Sequence, residues 1–236
     1  MRSAVIALLV AGIVAPLAAC RDGTPGGPTD RAWTTADFER VAAASSCAAL
    51  PTSGSPAFAR MTDPHVLDTL VSAEQAPAAR LGGLIDYQNA LAAITKHYAS
   101  CGDLGGHLAM ATALIELMAF ELPVADAFVA TLPADDPTRE VRAGGVAKMR
   151  EGLQGMATGI ALTVRGSRFP RPVPGVGRRL GAALARVVPL MPAGALDGAL
   201  GNLDVPEDGD DDRNRRALRA DIRAGLHDAR ATPPRP

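Results

Sequence analysis

The chain has 236 residues, of which 47% are apolar and 21% charged, and its 24 basic and 25 acidic residues give a formal net charge of −1. This balance excludes an intrinsically disordered chain and a uniformly basic nucleic-acid-binding protein, so no nucleic-acid partner is expected. Aromatic residues make up only 3% of the chain. A core built from Ala, Leu, Val, Ile and Met favours helices packed on helices.

The first twenty residues have the organisation of an export signal. Arg2 gives a positive start, an apolar run covers residues 3–14, and residues 17–20 read Leu-Ala-Ala-Cys. The apolar run is too short to span a bilayer as a stable helix. The last four of these residues resemble the lipobox of bacterial lipoprotein precursors.

The resemblance to lipoprotein precursors implies an anchor and a location. It implies cleavage between Ala19 and Cys20, and attachment of acyl chains such as palmitate to the sulfur of Cys20. Two or three acyl chains hold a protein stably in a membrane, because each buried CH₂ contributes about 0.8 kcal/mol. Arg21, and not Asp, follows the cysteine. By the sorting rule of Gram-negative lipoproteins this implies the outer membrane, with the domain facing the periplasm.

Composition and periodicity predict an all-α protein in which a signal peptide and a flexible tether precede the folded part. The folded part is a bundle of about six helices followed by a smaller helical segment. The predicted segments are the signal peptide (1–19), the lipidated cysteine with a Gly/Pro tether (20–32), the bundle (33–164), a Pro/Arg/Gly linker (165–177), the helical C-terminal segment (178–230) and a disordered tail (231–236).

The first predicted helix has three local signals at its start. Thr34 is placed to cap it, Asp37 stands at the third helical position, and Trp33 and Phe38 are spaced as a hydrophobic staple. We expect this helix to end near Leu50, before a proline. A loop rich in Gly, Ser and Pro follows, and then a short helix that starts at Asp63-Pro64 and carries Val66, Leu67, Leu70 and Val71.

The next two helices are predicted to form the centre of the bundle. The third ends at Gly102, and its apolar stripe repeats every three or four residues, at Leu84, Tyr87, Leu91, Ile94 and Tyr98. The fourth covers residues 104–122 and is apolar on most sides, which predicts a central helix. Its titratable residues His107, Glu116 and Glu121 favour a buried helix of a soluble domain over a membrane span.

Five further helices are expected after Pro123. They are a short helix, a long one that starts at Asp136-Pro137, two shorter ones beyond residue 177, and a final helix. The final helix turns Leu218, Ile222 and Leu226 inward. The long helix carries glycines that we expect to allow close approach to a neighbouring helix; they are Gly144, Gly145, Gly152, Gly155 and Gly159.

The remaining cysteines predict a disulfide, and a metal site is a weaker alternative. In an oxidising periplasm Cys47 and Cys101 form an even pair, and the alternative is two buried thiols. His97 and His107 stand near Cys101 in sequence, but the spacing matches no strong zinc motif and no fourth ligand is evident. No metal or other cofactor is therefore expected.

Two charged segments have an alternative interpretation as binding sites. A run of arginines without intervening acids would form a basic surface patch for anionic lipid, or else a solvated linker; it consists of Arg165, Arg168, Arg171, Arg178, Arg179 and Arg186. The acidic run 208–212 does not fit a calcium loop, because arginines occupy the positions that need Gly and Glu. We interpret it as the negative start of the last helix.

No nucleophile, nucleotide-binding or zinc-protease motif is present in the sequence. The leading hypothesis is a non-catalytic envelope component that presents a helical surface to an envelope protein or to anionic lipid. An envelope hydrolase or metal-dependent enzyme is the first alternative, and it requires a cavity where His97, His107 and Glu116 converge. A small-ligand carrier is the second, and it requires an apolar cavity between the fourth helix and the long helix.

Overall fold

The computed structural model of the chain describes residues 33–44, 46–63, 65–66, 77–204 and 212–231. This part contains α-helices, short 3-10 turns and no β-strand, which confirms the all-α class. Its helices are α1 (Thr35–Ala42), α2 (Pro56–Met61), α3 (Pro77–Ser100), α4 (Leu104–Thr131), α5 (Arg139–Gly166), α6 (Val176–Val187), α7 (Asp197–Asp204) and α8 (Arg213–Ala231). The predicted signal peptide, Cys20, the tether, most of the helix predicted after Asp63, and residues 232–236 of the tail lie outside the described residues.

Helix α1 begins as predicted but ends earlier. The backbone N–H of Thr34 donates to the Asp37 carboxylate at 2.9 Å, and the Trp33 and Phe38 rings meet edge-on with their centroids 5.1 Å apart. The helix ends at Ala42, so the predicted end near Leu50 is wrong. The chain then turns away and forms a 3-10 turn, Cys47–Ala49.

Helix α2 lies where the sequence predicted a loop. The Ser55 hydroxyl accepts the Phe58 backbone N–H at 3.1 Å, and Pro56 occupies the first helical position. Both features are common at helix starts, because the serine oxygen satisfies an N–H that lacks a partner and proline has no N–H to satisfy.

Helix α4 lies between two hydrophobic clusters, which confirms the prediction of a central helix. Met110, Leu114 and Leu117 pack with α1 to α3, whereas other side chains of α4 pack with α5 to α8. One feature of the prediction is wrong, because α4 continues through Pro123 to Thr131. Burial of side chains on both sides of the proline compensates for the hydrogen bond that it removes.

The long helix α5 does not use its glycines for close packing. A Cβ atom at any of the five predicted positions would meet nothing within 4 Å, so that prediction is wrong. The close approach lies instead between α6 and α8. A Cβ at Gly181 would overlap the carbonyl of Ile222, and one at Gly225 would overlap the carbonyl of Arg178. The predicted inward residues of the last helix, Leu218, Ile222 and Leu226, are buried.

The segment 165–177 connects two helices of one packed unit. Phe169 is only 3% exposed and belongs to the same hydrophobic cluster as buried residues of α4, α5, α6 and α8. Its backbone N–H donates to Asp212 at 2.8 Å, and its carbonyl accepts from the Asn214 side chain at 2.6 Å. Residues beyond 177 therefore share a core with the bundle.

Candidate functional site

A groove of about 950 Å³ opens among three parts of the chain. They are residues 52–54 together with α2, the turn between α3 and α4, and the proline-rich segment 169–176. Its lining includes apolar residues, such as Phe58 and Val173, and residues with hydroxyl groups, such as Thr52 and Ser53. The volume is within the range of ligand sites. Its charged lining residues are Asp103, Arg171 and Arg179.

The first wall of the groove consists of residues 52–54 and α2, and covalent and hydrogen bonds connect this part of the chain to the turn between α3 and α4. Cys47 and Cys101 form a disulfide with their Cα atoms 5.7 Å apart. The Tyr98 hydroxyl donates to the Pro51 carbonyl at 2.5 Å, and the Ser53 hydroxyl donates to the Asp103 carboxylate at 2.6 Å. Burial, assisted by the nearby Asp103 charge, raises the pKa of Tyr98 above its ordinary value, so its hydroxyl remains a donor.

The proline-rich segment forms the second wall. Phe169 fixes one end of it in the core, and Val173 lies beside Gly105 of α4. Prolines follow both Arg171 and Val173, and the backbone bends at Arg171. The backbone N–H groups of these two residues form no hydrogen bond with any described residue.

Arg179, which lines the groove, forms an ion pair with the buried Glu116. Arg179 of α6 approaches Glu116 of α4 with Nε 2.9 Å from Oε1 and Nη2 2.5 Å from Oε2. Its third nitrogen donates to the carbonyl of Thr62, at the end of α2. Glu116 is 7% exposed, and Nη2 of Arg186 lies 3.8 Å from its Oε1. The pair thus joins three helices at one point.

Five of the six arginines in the predicted basic patch are exposed, and Arg179 is partly buried. Binding of anionic lipid by these arginines stays a prediction. Arg179 and Arg186 face Glu116, and Arg178 lies 3.7 Å from Asp228. Arg165 donates to the Asn202 side chain at 2.7 Å. The acidic and amide partners of these arginines come from helices distant in sequence. The absence of acidic residues within the arginine run therefore did not reveal them. Arg168 and Arg171 are exposed and form no ion pair with a described residue.

The weak metal candidates are engaged in other bonds. The Cys101 sulfur is in the disulfide, the His97 ring lies 3.1 Å from the Ala42 carbonyl, and the His107 ring lies 3.2 Å from the Thr95 carbonyl. Within the described ranges, no three His, Cys, Asp or Glu side chains are grouped to hold a metal ion. Neither histidine lines the groove, and Glu116 faces arginines, so the convergence required by the enzyme hypothesis is not formed there.

Glu121 lies outside the groove but has unusual surroundings. Its side chain is fully buried, and neither carboxylate oxygen has a hydrogen-bond partner among the described residues. Burial without a partner raises the pKa of Glu121 to about 7. The sequence indicated this residue only as an interruption of an apolar helix.

The acidic run before α8 is described only at Asp212. This carboxylate accepts the backbone N–H of Arg215 at 3.0 Å and that of Phe169 at 2.8 Å, so it caps the helix as predicted. Burial alone would raise the pKa of Asp212, but these N–H donors outweigh it and hold the pKa below its ordinary value. Residues 208–211 lie outside the described part.

Helix α4 is long and apolar enough to cross a membrane by length and composition alone. However, 78% of its most apolar window is buried inside the protein. This burial is typical of the core helix of a soluble domain, and it agrees with the sequence interpretation.

Comparison with known proteins places the chain in no family. No protein-family model matches it, and no curated protein or solved structure is significantly similar to it.

Proposed function

We propose that this chain is an exported, lipid-anchored protein of the cell envelope whose helical domain binds a partner in the groove without catalysing a reaction. Acyl chains on Cys20 would hold it in the membrane, and Arg21 favours the outer membrane of a Gram-negative cell. The tether 20–32 would separate the bilayer from the folded domain.

The observation that carries this proposal is the disulfide between Cys47 and Cys101. Disulfides persist in oxidising compartments such as the periplasm and are rare in the bacterial cytosol. The pair lies in the folded domain, whereas the lipobox resemblance rests on residues 17–20. Two separate parts of the chain therefore support the same location.

The bonding of the groove side chains supports a binding role over a catalytic one. The hydroxyls of Thr62 and Thr112 donate to backbone carbonyls of their own segments, and the Ser53 hydroxyl donates to Asp103. Asp103 in turn caps α4 by accepting the Gly106 N–H at 2.9 Å. Among the described lining residues, the Ser53 hydroxyl does lie beside a carboxylate, but that carboxylate, Asp103, is held in place as the cap of α4.

The test is metabolic labelling with palmitate in a Gram-negative host that expresses the chain with its own leader. We expect label in the membrane fraction, and we expect Cys20→Ser to lose both the label and membrane attachment. The matched control is the double variant Cys47→Ser/Cys101→Ser, which removes the other cysteines and should retain the label. Equal labelling of the parent and Cys20→Ser would overturn the proposal.

A further inference from the structure

We infer that the groove binds a short extended peptide that carries a carboxylate, and that Arg171 pairs with this carboxylate. The inference rests on the binding role proposed above. Three observations support it: the unpaired charge of Arg171, the unpaired backbone N–H groups of Arg171 and Val173, and the presence of both apolar and hydroxyl side chains in the groove lining.

Arg171 is the cationic lining residue that forms no ion pair with a described residue. Arg179 is bound to Glu116, and Asp103 is occupied by the Ser53 hydroxyl and the Gly106 N–H. Arg171 is exposed on the proline-rich wall and lies at the opening of the groove. A guanidinium in this situation binds a carboxylate through two parallel hydrogen bonds.

The proline-rich wall also presents backbone groups to a ligand. The N–H groups of Arg171 and Val173 have no partner among the described residues. Each of these unpaired N–H groups can donate to a carbonyl of a bound chain. An extended chain accepts such donors with its own carbonyls, which is how sheet edges bind peptides.

The side walls favour a peptide over an acyl chain. Leu104 and Val173 are partly exposed and offer apolar surface for side chains, but the exposed Thr52 also brings a hydroxyl to the groove. An acyl chain would cover the Thr52 hydroxyl without bonding to it, and covering an unbonded polar group is unfavourable. A peptide supplies both apolar side chains and hydrogen-bonding groups.

The test uses the full chain, expressed with its own leader and purified from membranes in detergent. Two pools of short random-sequence peptides are applied, one with free carboxylates and one with amidated C-termini and no Asp or Glu. Retained peptides are identified by mass spectrometry. We expect preferential retention of the carboxylate pool, and the best-retained peptide is then labelled for fluorescence anisotropy.

Two variants locate the bound peptide. Arg171→Gln removes the charge and should weaken binding about tenfold or more, since a charge-assisted pair is lost. Arg168→Gln removes an exposed arginine of the same segment that does not line the groove, and it should bind like the parent. Ala59→Trp narrows the groove at an exposed position of α2 without changing its charge, and it should also weaken binding.

The inference is overturned if neither pool is retained, if amidated peptides are retained equally well, or if Arg171→Gln and Arg168→Gln bind alike. These outcomes are separate from failure of the proposed location, because binding is measured on purified protein. A chain that binds carboxylate peptides but takes no palmitate would refute the lipid anchor alone. A labelled chain that binds none of the peptides would refute this inference alone.

Discussion

Glu116 and Glu121 lie on the same helix, and both are buried, but their carboxylates have opposite surroundings. Glu116 is held by Arg179, whereas Glu121 has no hydrogen-bond partner among the described residues. A buried carboxylate is tolerated when it is paired, and otherwise it gains a proton. The sequence places both residues on an apolar helix, but it does not reveal that only one of them meets a cation.

Removal of Arg179 should destabilise the protein strongly. Arg179→Met leaves the buried Glu116 carboxylate without its main partner, which we expect to cost about 3 kcal/mol in the free energy of unfolding. Urea denaturation measures this change. The control Arg178→Met removes a neighbouring exposed arginine and should change stability by less than about 0.5 kcal/mol. Equal losses of stability in the two variants would contradict a stabilising role of the pair between Arg179 and Glu116.

Glu121 should make stability depend on pH. Its pKa is about 7 in the folded protein and 4.5 ordinarily, so the folded state binds the proton more tightly. Stability is therefore highest below pH 4.5 with respect to this group, and it falls as pH rises towards 7 and through it. Glu121→Gln should be more stable than the parent at pH 8 by about 3 kcal/mol.

Denaturation curves at pH 5 and pH 8 test this prediction. The advantage of Glu121→Gln should shrink at the lower pH, because the parent is then largely protonated. The exposed Glu151→Gln variant on α5 should show no such change between the two conditions. A constant difference between Glu121→Gln and the parent would contradict a raised pKa.

At the scale of helices, features that depend on neighbouring residues in the sequence could be predicted. Features that depend on contacts with distant parts of the chain could not. The stripe from Leu84 to Tyr98 and the cap at Thr34 depend on local spacing, and both are confirmed. The end of α1 and the passage of α4 through Pro123 depend on packing with other helices. For the same reason the bond between Arg179 and Glu116, which joins residues 63 positions apart, has no signal in sequence spacing.

The glycines of α5 and α6 should respond oppositely to alanine. Gly155→Ala places a methyl group in open space on α5, and it should stabilise the protein by about 0.5–1 kcal/mol because alanine favours helix. Gly181→Ala forces a methyl group into the backbone of α8, and it should cost about 2 kcal/mol or more. Thermal denaturation of both variants measures the difference, and a stabilising Gly181→Ala would refute the close packing of α6 on α8.

At the scale of the whole molecule, the proposed lipid anchor and tether precede a disulfide-bonded helical domain with a groove. The all-α class followed from composition and periodicity, because few aromatic residues and three-to-four spacing leave helix packing as the way to bury apolar surface. The groove was not predictable, because residues 52–54, the turn before α4 and the segment 169–176 meet only in the folded chain.

The intact mass of the chain extracted from bacterial membranes tests the central claim most directly. We predict a species that begins at Cys20, carries acyl groups, and has Cys47 and Cys101 protected from alkylation until a reductant is added. A species that retains residues 1–19, or one with an unmodified sulfur at Cys20, would contradict the lipid anchor and the envelope location that depends on it.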